Sequence, residues 1–334
     1  MKTKLMTRIS KKGIVIAILS GALTVFIMEH LGYIYPSLRS RFFYFLARIN
    51  RWLSSNRTIE EQREVVDLVR RVILREPEDM QGQFVVEGVP VQWVLPESEF
   101  DETCVILYLH GGAYVQRTPV FHHRYTTNLA NITKTRVLLV DYRLAPEHPF
   151  PAALEDAYAA YLWLLQQNYS PQKIVIAGDS AGGGLAVATL LYARDRSLPL
   201  PACAVLMSPW LDLAGTGNSI IRLSAADPQL SWENLEKSAQ SYYGKYPPTH
   251  PLISPLYADL KGLPPMLIIA GGTEILLDDS IRFADRASVA DVDVDLVVEP
   301  NMGHVWSIFD MVIPEAQVAN RITNDFIQSI VHPE

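Results

Sequence analysis

The stretch from Lys173 to Leu185, KIVIAGDSAGGGL, constrains the fold of this chain more than any other part of it. Apolar residues run from Ile174 to Ala177 and a helical pattern begins directly after Ser180, so the order is a buried strand, a tight turn and a helix. The turn has the spacing G-x-S-x-G, because only glycines let the strand and the helix pack so closely. This bend pushes the hydroxyl group of Ser180 out of the sheet, and the amide of Ala181 at the helix start can face an oxyanion.

The composition indicates a large globular domain and excludes several functions. With 334 residues, 49% of them hydrophobic and 19% charged, the chain is long enough for one large α/β domain with appendages. The net charge of −7 offers no basic field for nucleic acid. CxxC, HExxH, P-loop and dinucleotide-binding motifs are absent from the sequence, so we expect no metal and no cofactor. Cys104 and Cys203 lie in apolar runs and are predicted to be buried free thiols.

The amino terminus has the pattern of a membrane anchor. Residues 1–12 contain five basic residues and no acidic one, and residues 13–28 are uncharged and mostly apolar. No small-residue cleavage site follows the apolar core, so we expect residues 1–35 to be an uncleaved signal anchor that spans the membrane once. A cleaved signal peptide and a helix buried in the fold are the alternatives. Basic residues on both sides of the segment leave open which face of the membrane carries the remaining chain.

Residues 36–80 have a helical pattern. Aromatic and aliphatic residues are interleaved with arginines between Arg39 and Glu76, and a break lies near Ser54 to Asn56. We therefore expect two amphipathic helices. Their role is left open among packing onto the main domain, a lid over a pocket and a helix on a membrane surface.

From Gln83 onward, strand patterns dominate and later alternate with helical ones. Strand alternating with helix predicts an eight-stranded, mostly parallel sheet with helices on both faces, and ligands then bind at the carboxyl ends of the strands. The expected strands cover residues 83–86, 91–95, 104–109 and 136–141, and further strands begin near 173, 202, 266 and 294.

Polar residues follow several of these strands at the same predicted edge of the sheet. The sequence HGGA at 110–113 ends the third strand, and its backbone amides can converge on a negatively charged oxygen. Beyond Ser180, acidic residues lie at 274–279 after the strand that begins at Met266, and His304 follows the last strand. The order serine, acid, histidine is typical of a serine nucleophile and its partners in such a sheet.

Together these motifs closely resemble one family. HGGA at 110–113, DYRLAPEHPFPAALEDA at 141–157, GDSAGG at 178–183 and the carboxyl-terminal His304 are similar to the hormone-sensitive-lipase family of α/β-hydrolases. The resemblance covers roughly residues 80–330. Three further segments, SPWLDL, SPLYADL and EILLDD, are most similar to its bacterial esterases and lactone hydrolases.

The resemblance implies an α/β-hydrolase fold with a helical cap. In this family the cap consists of an amino-terminal helical segment and an insert in the main domain. In this chain, residues 36–80 would form the first cap segment, residues 81–334 the α/β-hydrolase domain, and about 213–250 the insert. Residues 1–35, the expected anchor, stand outside this arrangement.

The resemblance also implies roles for individual residues. Ser180 would be the nucleophile, and His304 would be the general base and then the general acid. The amides of Gly111, Gly112 and Ala181 would bind the oxyanion. Three further residues would support the motifs around the site: His110, Asp179 and Asp278.

The acid partner of His304 is a choice among three residues. Family members commonly have the sequence Asp-x-Leu-x-Asp in this loop. Residues 274–278 match that pattern, with Glu274 at the position of the first aspartate. Glu274 also lies only a few residues beyond the predicted strand, whereas Asp278 and Asp279 fall where a helix should begin and are typical capping groups. We therefore predict that Glu274 orients His304 and that Asp278 braces the loop.

The resulting functional prediction is a serine carboxylesterase that acts on short- to medium-chain acyl esters. A lactone hydrolase or a deacetylase would use the same residues and stays an alternative. An inactive binding protein is disfavoured, because every expected catalytic residue is present. The expected partners are a small-molecule ester, no nucleic acid, and the membrane through the amino terminus; the sequence leaves a homodimer open.

Overall fold

The structure is a computed structural model that describes residues 36–54, 57–72 and 82–333. One eight-stranded sheet forms its centre. The strands are β1 (Gln83–Val86), β2 (Val89–Val94), β3 (Val105–Leu109), β4 (Arg136–Val140), β5 (Ile174–Asp179), β6 (Cys203–Met207), β7 (Met266–Gly271) and β8 (Val294–Glu299). Their order in the sheet is β1-β2-β4-β3-β5-β6-β7-β8. Strand β2 is antiparallel to both neighbours and all other neighbouring pairs are parallel, as predicted.

The central strands are buried on both faces, which explains their continuously apolar sequences. Every residue of β3, β5 and β6 is buried, as is typical of parallel strands that helices cover on both sides. Alternate residues of these strands contribute to two separate apolar clusters. Leu107 and Ile176 belong to one cluster, and Ile106 and Val175 belong to the other.

Helices complete both clusters, so they lie on both faces of the sheet. Those in the described residues are α1 (Leu38–Ser54), α2 (Ile59–Val72), α3 (Pro119–Thr133), α4 (Ala152–Gln166), α5 (Ala181–Arg194), α6 (Ser219–Arg222), α7 (Trp232–Tyr243), α8 (Leu277–Val289) and α9 (Ala316–Val331). The cluster with Leu107 contains residues of α4, α5 and α8, and the cluster with Ile106 contains residues of α3 and α9. The predicted fold class is confirmed.

The two helices predicted before the sheet are present, and the first is fastened to the main domain. At the start of α1, the amide of Ser37 and the hydroxyl group of Ser40 donate to the Glu315 carboxylate at 2.5 and 2.6 Å. Further along α1, the phenol oxygen of Tyr44 accepts a hydrogen bond from the amide of Gly303 at 2.8 Å. Helix α1 therefore packs on the loop that joins β8 to α9.

The membrane prediction needs correction. The anchor expected over residues 1–35 lies outside the described residues. Among the residues that the structure does describe, none of the helices has both the length and the apolar composition needed to cross a bilayer. A single-pass membrane protein is therefore not supported, and neither is membrane association through the amino terminus.

Both cysteines are free and buried, as predicted. Burial raises the pKa of the Cys104 thiol to about 11 and that of the Cys203 thiol to about 12. Both side chains are therefore protonated thiols at neutral pH.

Candidate active site

Ser180 occupies the tight turn that the sequence predicts. It lies between the last residue of β5 and the first residue of α5, with φ of 53° and ψ of −121°. A positive φ is strained for a residue with a side chain, and this strain is typical of a nucleophile elbow. The amide of Ser180 donates to the carbonyl oxygen of Met207 at 2.8 Å. The neighbouring strand β6 thus holds the elbow in place.

The glycines around Ser180 are required by close backbone packing. A Cβ atom placed on Gly182 would lie 2.0 Å from the carbonyl oxygen of Leu109. One placed on Gly178 would lie 2.4 Å from the carbonyl oxygen of Gly182. Since these obstacles are backbone atoms in the centre of the sheet, no side-chain movement can relieve them.

We expect Gly182→Ala to destabilise the protein by more than about 3 kcal/mol, the upper end of ordinary overpacking costs. Chemical denaturation followed by circular dichroism would measure the loss. Gly88→Ala is the control for a glycine replacement without a clash, because Gly88 has a φ of 86° but no atom within 4 Å of an added Cβ. Its cost should be about 1 kcal/mol, from the positive φ alone. Equal losses in the two variants would contradict the packing argument.

Three buried side chains form a continuous hydrogen-bonded chain at the carboxyl ends of the strands. His304 Nε2 lies 2.9 Å from the Oγ atom of Ser180, and His304 Nδ1 lies 2.5 Å from Oε2 of Glu274. The other carboxylate oxygen of Glu274 accepts a hydrogen bond from the amide of Gly271 at 2.7 Å. Glu274 is therefore the acid that reaches His304, and its second oxygen is also paired.

The other two candidate acids serve different loops. Asp278 accepts a hydrogen bond from the amide of Ser219 at 2.9 Å and lies 3.3 Å from the guanidinium of Arg222. Asp279 is buried and accepts hydrogen bonds from the amides of two residues, Leu211 and Asp212. Burial raises the pKa of Asp279 well above its ordinary range. These carboxylates join the segment after β6 and the start of α6 to α8, and the bracing role of Asp278 stays a prediction.

The loop after β3 requires one correction. The amide of Gly111 donates to Oδ1 of Asp179 at 2.9 Å, so its single N–H group is already used. Gly112 and Ala113 follow with φ of 123° and 53°. In the described part of the chain, the amides of these two residues donate no hydrogen bond. The Gly111 amide is therefore not free for the predicted oxyanion role, whereas the amides of Gly112 and Ala113 are.

Asp179, predicted to support the motif, shapes this loop from within the sheet. Its carboxylate accepts the amide of Gly111 and the phenol hydroxyl of Tyr108 at 2.8 Å, and it lies 3.5 Å from Nε2 of His122. Burial raises the pKa of Asp179, but the His122 ring and these hydrogen bonds outweigh it and hold the pKa below its ordinary value. Because Asp179 directly precedes Ser180, its buried carboxylate fixes the position of the loop after β3 relative to Ser180.

His110 also supports the loop, and it does so as a neutral ring. Its ring stacks on that of Tyr142 with centroids 4.2 Å apart, and the Tyr142 hydroxyl donates to the His110 carbonyl at 2.6 Å. Burial lowers the pKa of His110 to about 3, so the imidazole is uncharged at neutral pH. Its Nδ1 can then donate to the carbonyl oxygen of Gly111, which lies 2.7 Å away.

A cavity of about 380 Å³ opens above Ser180 and His304. Its size suits one small organic molecule. Both segments predicted to form the cap contribute to its wall, with apolar and polar side chains mixed. The contributing residues include Asn50, Val65 and Val66 from the amino-terminal helices, and Gln229, Leu230 and Asn234 from the insert.

Several known proteins are similar to this chain in sequence and in fold. A family described as "alpha/beta hydrolase fold" matches residues 106–308. An acetyl-hydrolase from Streptomyces hygroscopicus is 41% identical over 249 residues, which cover 74% of this chain and 83% of the relative. An esterase from Acinetobacter venetianus is 36% identical over 269 residues, covering 80% and 88%. A solved esterase structure from the bacterial hormone-sensitive-lipase family is 40% identical with a TM-score of 0.82, covering 88% of this chain and 99% of that one.

The chain belongs to the α/β-hydrolases of the hormone-sensitive-lipase type. The predicted family is thereby confirmed. The hydrolase motifs, from the loop after β3 to the loop after β8, all lie within residues 106–308, which the family matches.

Arg63 fastens helix α2 of this hydrolase to the loop after β3, and no pattern in the sequence indicated this role. Its Nε donates to the carbonyl of Val115 at 2.6 Å and its Nη2 to the carbonyl of Ala145 at 2.7 Å. Its Nη1 lies 2.6 Å from Oε1 of Glu147, and this hydrogen bond lowers the pKa of Glu147 to about 2. An arginine in an amphipathic helix carries no signal of such contacts in the sequence, because its partners lie more than fifty residues away.

We expect Arg63→Met to lower turnover about tenfold, which corresponds to about 1.4 kcal/mol of the ~1.5–3 kcal/mol typical of hydrogen bonds to charged groups. The reason is that the loop carrying Gly112 and Ala113 loses the hydrogen bonds that Arg63 of α2 donates to it and to the neighbouring Ala145 carbonyl. Steady-state kinetics on one ester would measure it. Arg48→Met is the control, since its guanidinium donates to the exposed carbonyl of Ala226, far along the chain from this loop. Wild-type turnover in both variants would mean that Arg63 only attaches the helix.

Proposed function

We propose that this hydrolase is a serine carboxylesterase that cleaves short- to medium-chain acyl esters through an acyl-enzyme. The reaction class, carboxylic ester hydrolysis, is that of its relatives. The observation that carries the proposal is the chain of hydrogen bonds from Ser180 through His304 to Glu274 at the floor of the cavity. A serine, a histidine and a buried carboxylate in this order provide a nucleophile, a base and an orienting group.

The proposed reaction has two halves. His304 Nε2 takes the proton of Ser180 as Oγ attacks the ester carbonyl carbon, and the resulting tetrahedral intermediate carries the negative oxygen. His304 then gives this proton to the leaving alcohol oxygen, which leaves the acyl group on Ser180. A water molecule repeats the sequence on the acyl-enzyme and releases the acid. Throughout, Glu274 keeps the proton on Nδ1 of His304 and stabilises the charged ring.

We assign the oxyanion site to the amides of Gly112, Ala113 and Ala181. Ala181 is the first residue of α5, where an amide has no partner within its helix and the helix dipole favours negative charge. Gly112 and Ala113 have positive φ angles, which place this part of the loop outside regular helix or strand geometry, and their amides donate no hydrogen bond in the described part of the chain. Gly111 contributes indirectly, because its hydrogen bond to Asp179 fixes this loop relative to Ser180.

A substrate panel tests the proposal. Acyl esters of increasing chain length, lactones and N-acyl amides would be compared by kcat/KM at neutral pH. We expect the highest values for esters with short to medium acyl chains. Highest values for lactones or for N-acyl amides would replace the carboxylesterase by a lactone hydrolase or a deacetylase with the same residues.

A fluorophosphonate probe tests the nucleophile independently of the substrate. It should label the wild-type protein at Ser180, because such probes react with an activated serine. Labelling of another serine, or no labelling of folded protein, would contradict the assigned role.

A further inference from the structure

His304 lies in a turn after β8, outside regular secondary structure, so its imidazole ring is not held by a helix or a strand. Val305, the next residue, has a φ of 47°, which is rare for a β-branched side chain. A backbone conformation of this kind persists only where its surroundings fix it. The contacts of this turn therefore decide where His304 Nε2 lies relative to Ser180 Oγ.

Two hydroxyl groups hold the backbone on either side of His304. The amide of Gly303 donates to the phenol oxygen of Tyr44 at 2.8 Å. The amide of Val305 donates to Oγ of Ser208 at 2.9 Å. The side chains of Tyr44 and Ser208 are buried, so water does not readily replace either acceptor. Both amides that flank His304 are thus paired with side chains from distant parts of the chain.

Ser208 links this turn to the nucleophile. It directly follows Met207 at the end of β6, and the Met207 carbonyl accepts the amide of Ser180 at 2.8 Å. The amide of Ser208 in turn donates to the Ile269 carbonyl of β7 at 2.7 Å. One pair of adjacent residues therefore fixes both the Ser180 elbow and the turn that carries His304.

Tyr44 makes the second contact from helix α1, which precedes the sheet. Its ring packs directly on the turn, since a Cβ atom on Gly303 would lie 2.9 Å from Cε1 of Tyr44. Its hydroxyl group donates to Sδ of Met302 at 3.4 Å. Burial raises the pKa of the Tyr44 phenol, so the hydroxyl group keeps this proton at neutral pH. The phenol oxygen then serves as the acceptor for the Gly303 amide.

We infer that Tyr44 and Ser208 are positioning residues that hold the imidazole of His304 at the distance needed for proton transfer. The inference rests on the proposed function, in which His304 is the general base for Ser180. The two reacting atoms lie 2.9 Å apart, and a misplacement of about 1 Å can cost about a hundredfold in rate. Helix α1 therefore takes part in the chemical step as well as forming part of the cavity wall.

Two substitutions test this role. Tyr44→Phe and Ser208→Ala each remove one hydroxyl group and keep the rest of the side chain. We expect each to lower kcat about tenfold, the equivalent of about 1.4 kcal/mol, with KM unchanged. The factor should be the same for a short and a medium acyl ester, because the loss concerns proton transfer rather than the fit of the acyl group. The rate of fluorophosphonate labelling at Ser180 should fall as well, since His304 activates the serine in that reaction too.

Matched controls make the same changes away from the turn. Tyr161→Phe removes a buried hydroxyl group that donates to the Pro199 carbonyl at 2.6 Å. Pro199 precedes β6, so this hydrogen bond lies at the opposite edge of the sheet from Ser180. Ser254→Ala removes a buried hydroxyl group that accepts the amide of Leu213 at 2.8 Å. Both controls should lose stability but keep the wild-type kcat.

Each kcat is divided by the number of Ser180 sites that the probe labels at completion, which removes any loss of folded protein. Wild-type kcat per labelled site in Tyr44→Phe and Ser208→Ala would overturn the inference. A rise in KM at unchanged kcat would also overturn it, because α1 would then act on binding. A loss confined to Ser208→Ala would remove Tyr44 and α1 from the role, and an equal loss in the controls would show that any buried hydroxyl group has this effect.

A different result would overturn the proposed function itself. That result is a wild-type protein that cleaves no acyl ester, or a Ser180→Ala variant that cleaves one. If the wild type cleaves acyl esters and Ser180→Ala does not, a normal kcat in Tyr44→Phe and Ser208→Ala would overturn only the positioning role and leave the carboxylesterase standing.

Discussion

Replacing Ser180 by alanine is expected to abolish ester hydrolysis, with a loss in kcat of at least about ten-thousandfold. The loss follows from the 2.9 Å contact between its Oγ and His304 Nε2, which places the nucleophile and the base within proton-transfer distance. The residual rate should come from the oxyanion site and from binding alone. Steady-state kinetics on a short acyl ester would measure the loss.

Two controls make this result specific. Thermal unfolding of Ser180→Ala should match that of the wild type, since alanine fits the same buried elbow without a new contact. Ser241→Ala, at a partly exposed position of α7 where the hydroxyl donates only to the Lys237 carbonyl, should keep both turnover and fluorophosphonate labelling. Comparable turnover by Ser180→Ala would end the assignment of Ser180.

Glu274→Gln is expected to lower kcat by about a thousandfold or more, with little change in stability. The side chain is fully buried, and the glutamine carbonyl can still accept the hydrogen bond from the amide of Gly271. Its amide group, however, can donate to His304 Nδ1 and so favour the wrong tautomer of the ring. Turnover on a short acyl ester and chemical denaturation would be measured on the same preparations.

Asp278→Asn is the matched comparison, since it makes the same change from carboxylate to amide four residues away. Asp278 contacts Ser219 and Arg222 rather than His304, so its replacement should act mainly on stability. The two roles would have to be exchanged if Asp278→Asn lost turnover while Glu274→Gln kept it.

The sequence predicted the sheet and the Ser180 elbow because both depend on local patterns. Continuous apolar runs such as that of β5 can be satisfied only by burial on both faces, and G-x-S-x-G permits one tight turn. The choice of Glu274 over Asp278 also rested on local geometry, namely the few residues available between the strand end and the next helix. The sheet and the turn agree with the structure because short-range sterics decide them, and the catalytic role of Glu274 stays a prediction that its contact with His304 supports.

The prediction of a membrane anchor over residues 1–35 had a different basis. It rested on hydropathy and flanking charge alone, and nothing in the described residues supports it. Apolar composition indicates that a segment avoids water, but it does not identify what covers that segment.

The contacts that decide the details of the site join residues distant in the chain. Only the tertiary structure revealed that the Gly111 amide is taken by Asp179, which moves the oxyanion assignment to Ala113. The same holds for the contacts of Arg63 with Val115, Ala145 and Glu147. The first contact joins the loop after β3 to the end of β5, and the second depends on where helix α2 packs against the strand ends. Neither leaves a periodic pattern in the sequence. The sequence by itself thus determined the sheet and the tight turn that carries Ser180, and contacts between residues distant in the chain decided which backbone amides near Ser180 are already hydrogen-bonded.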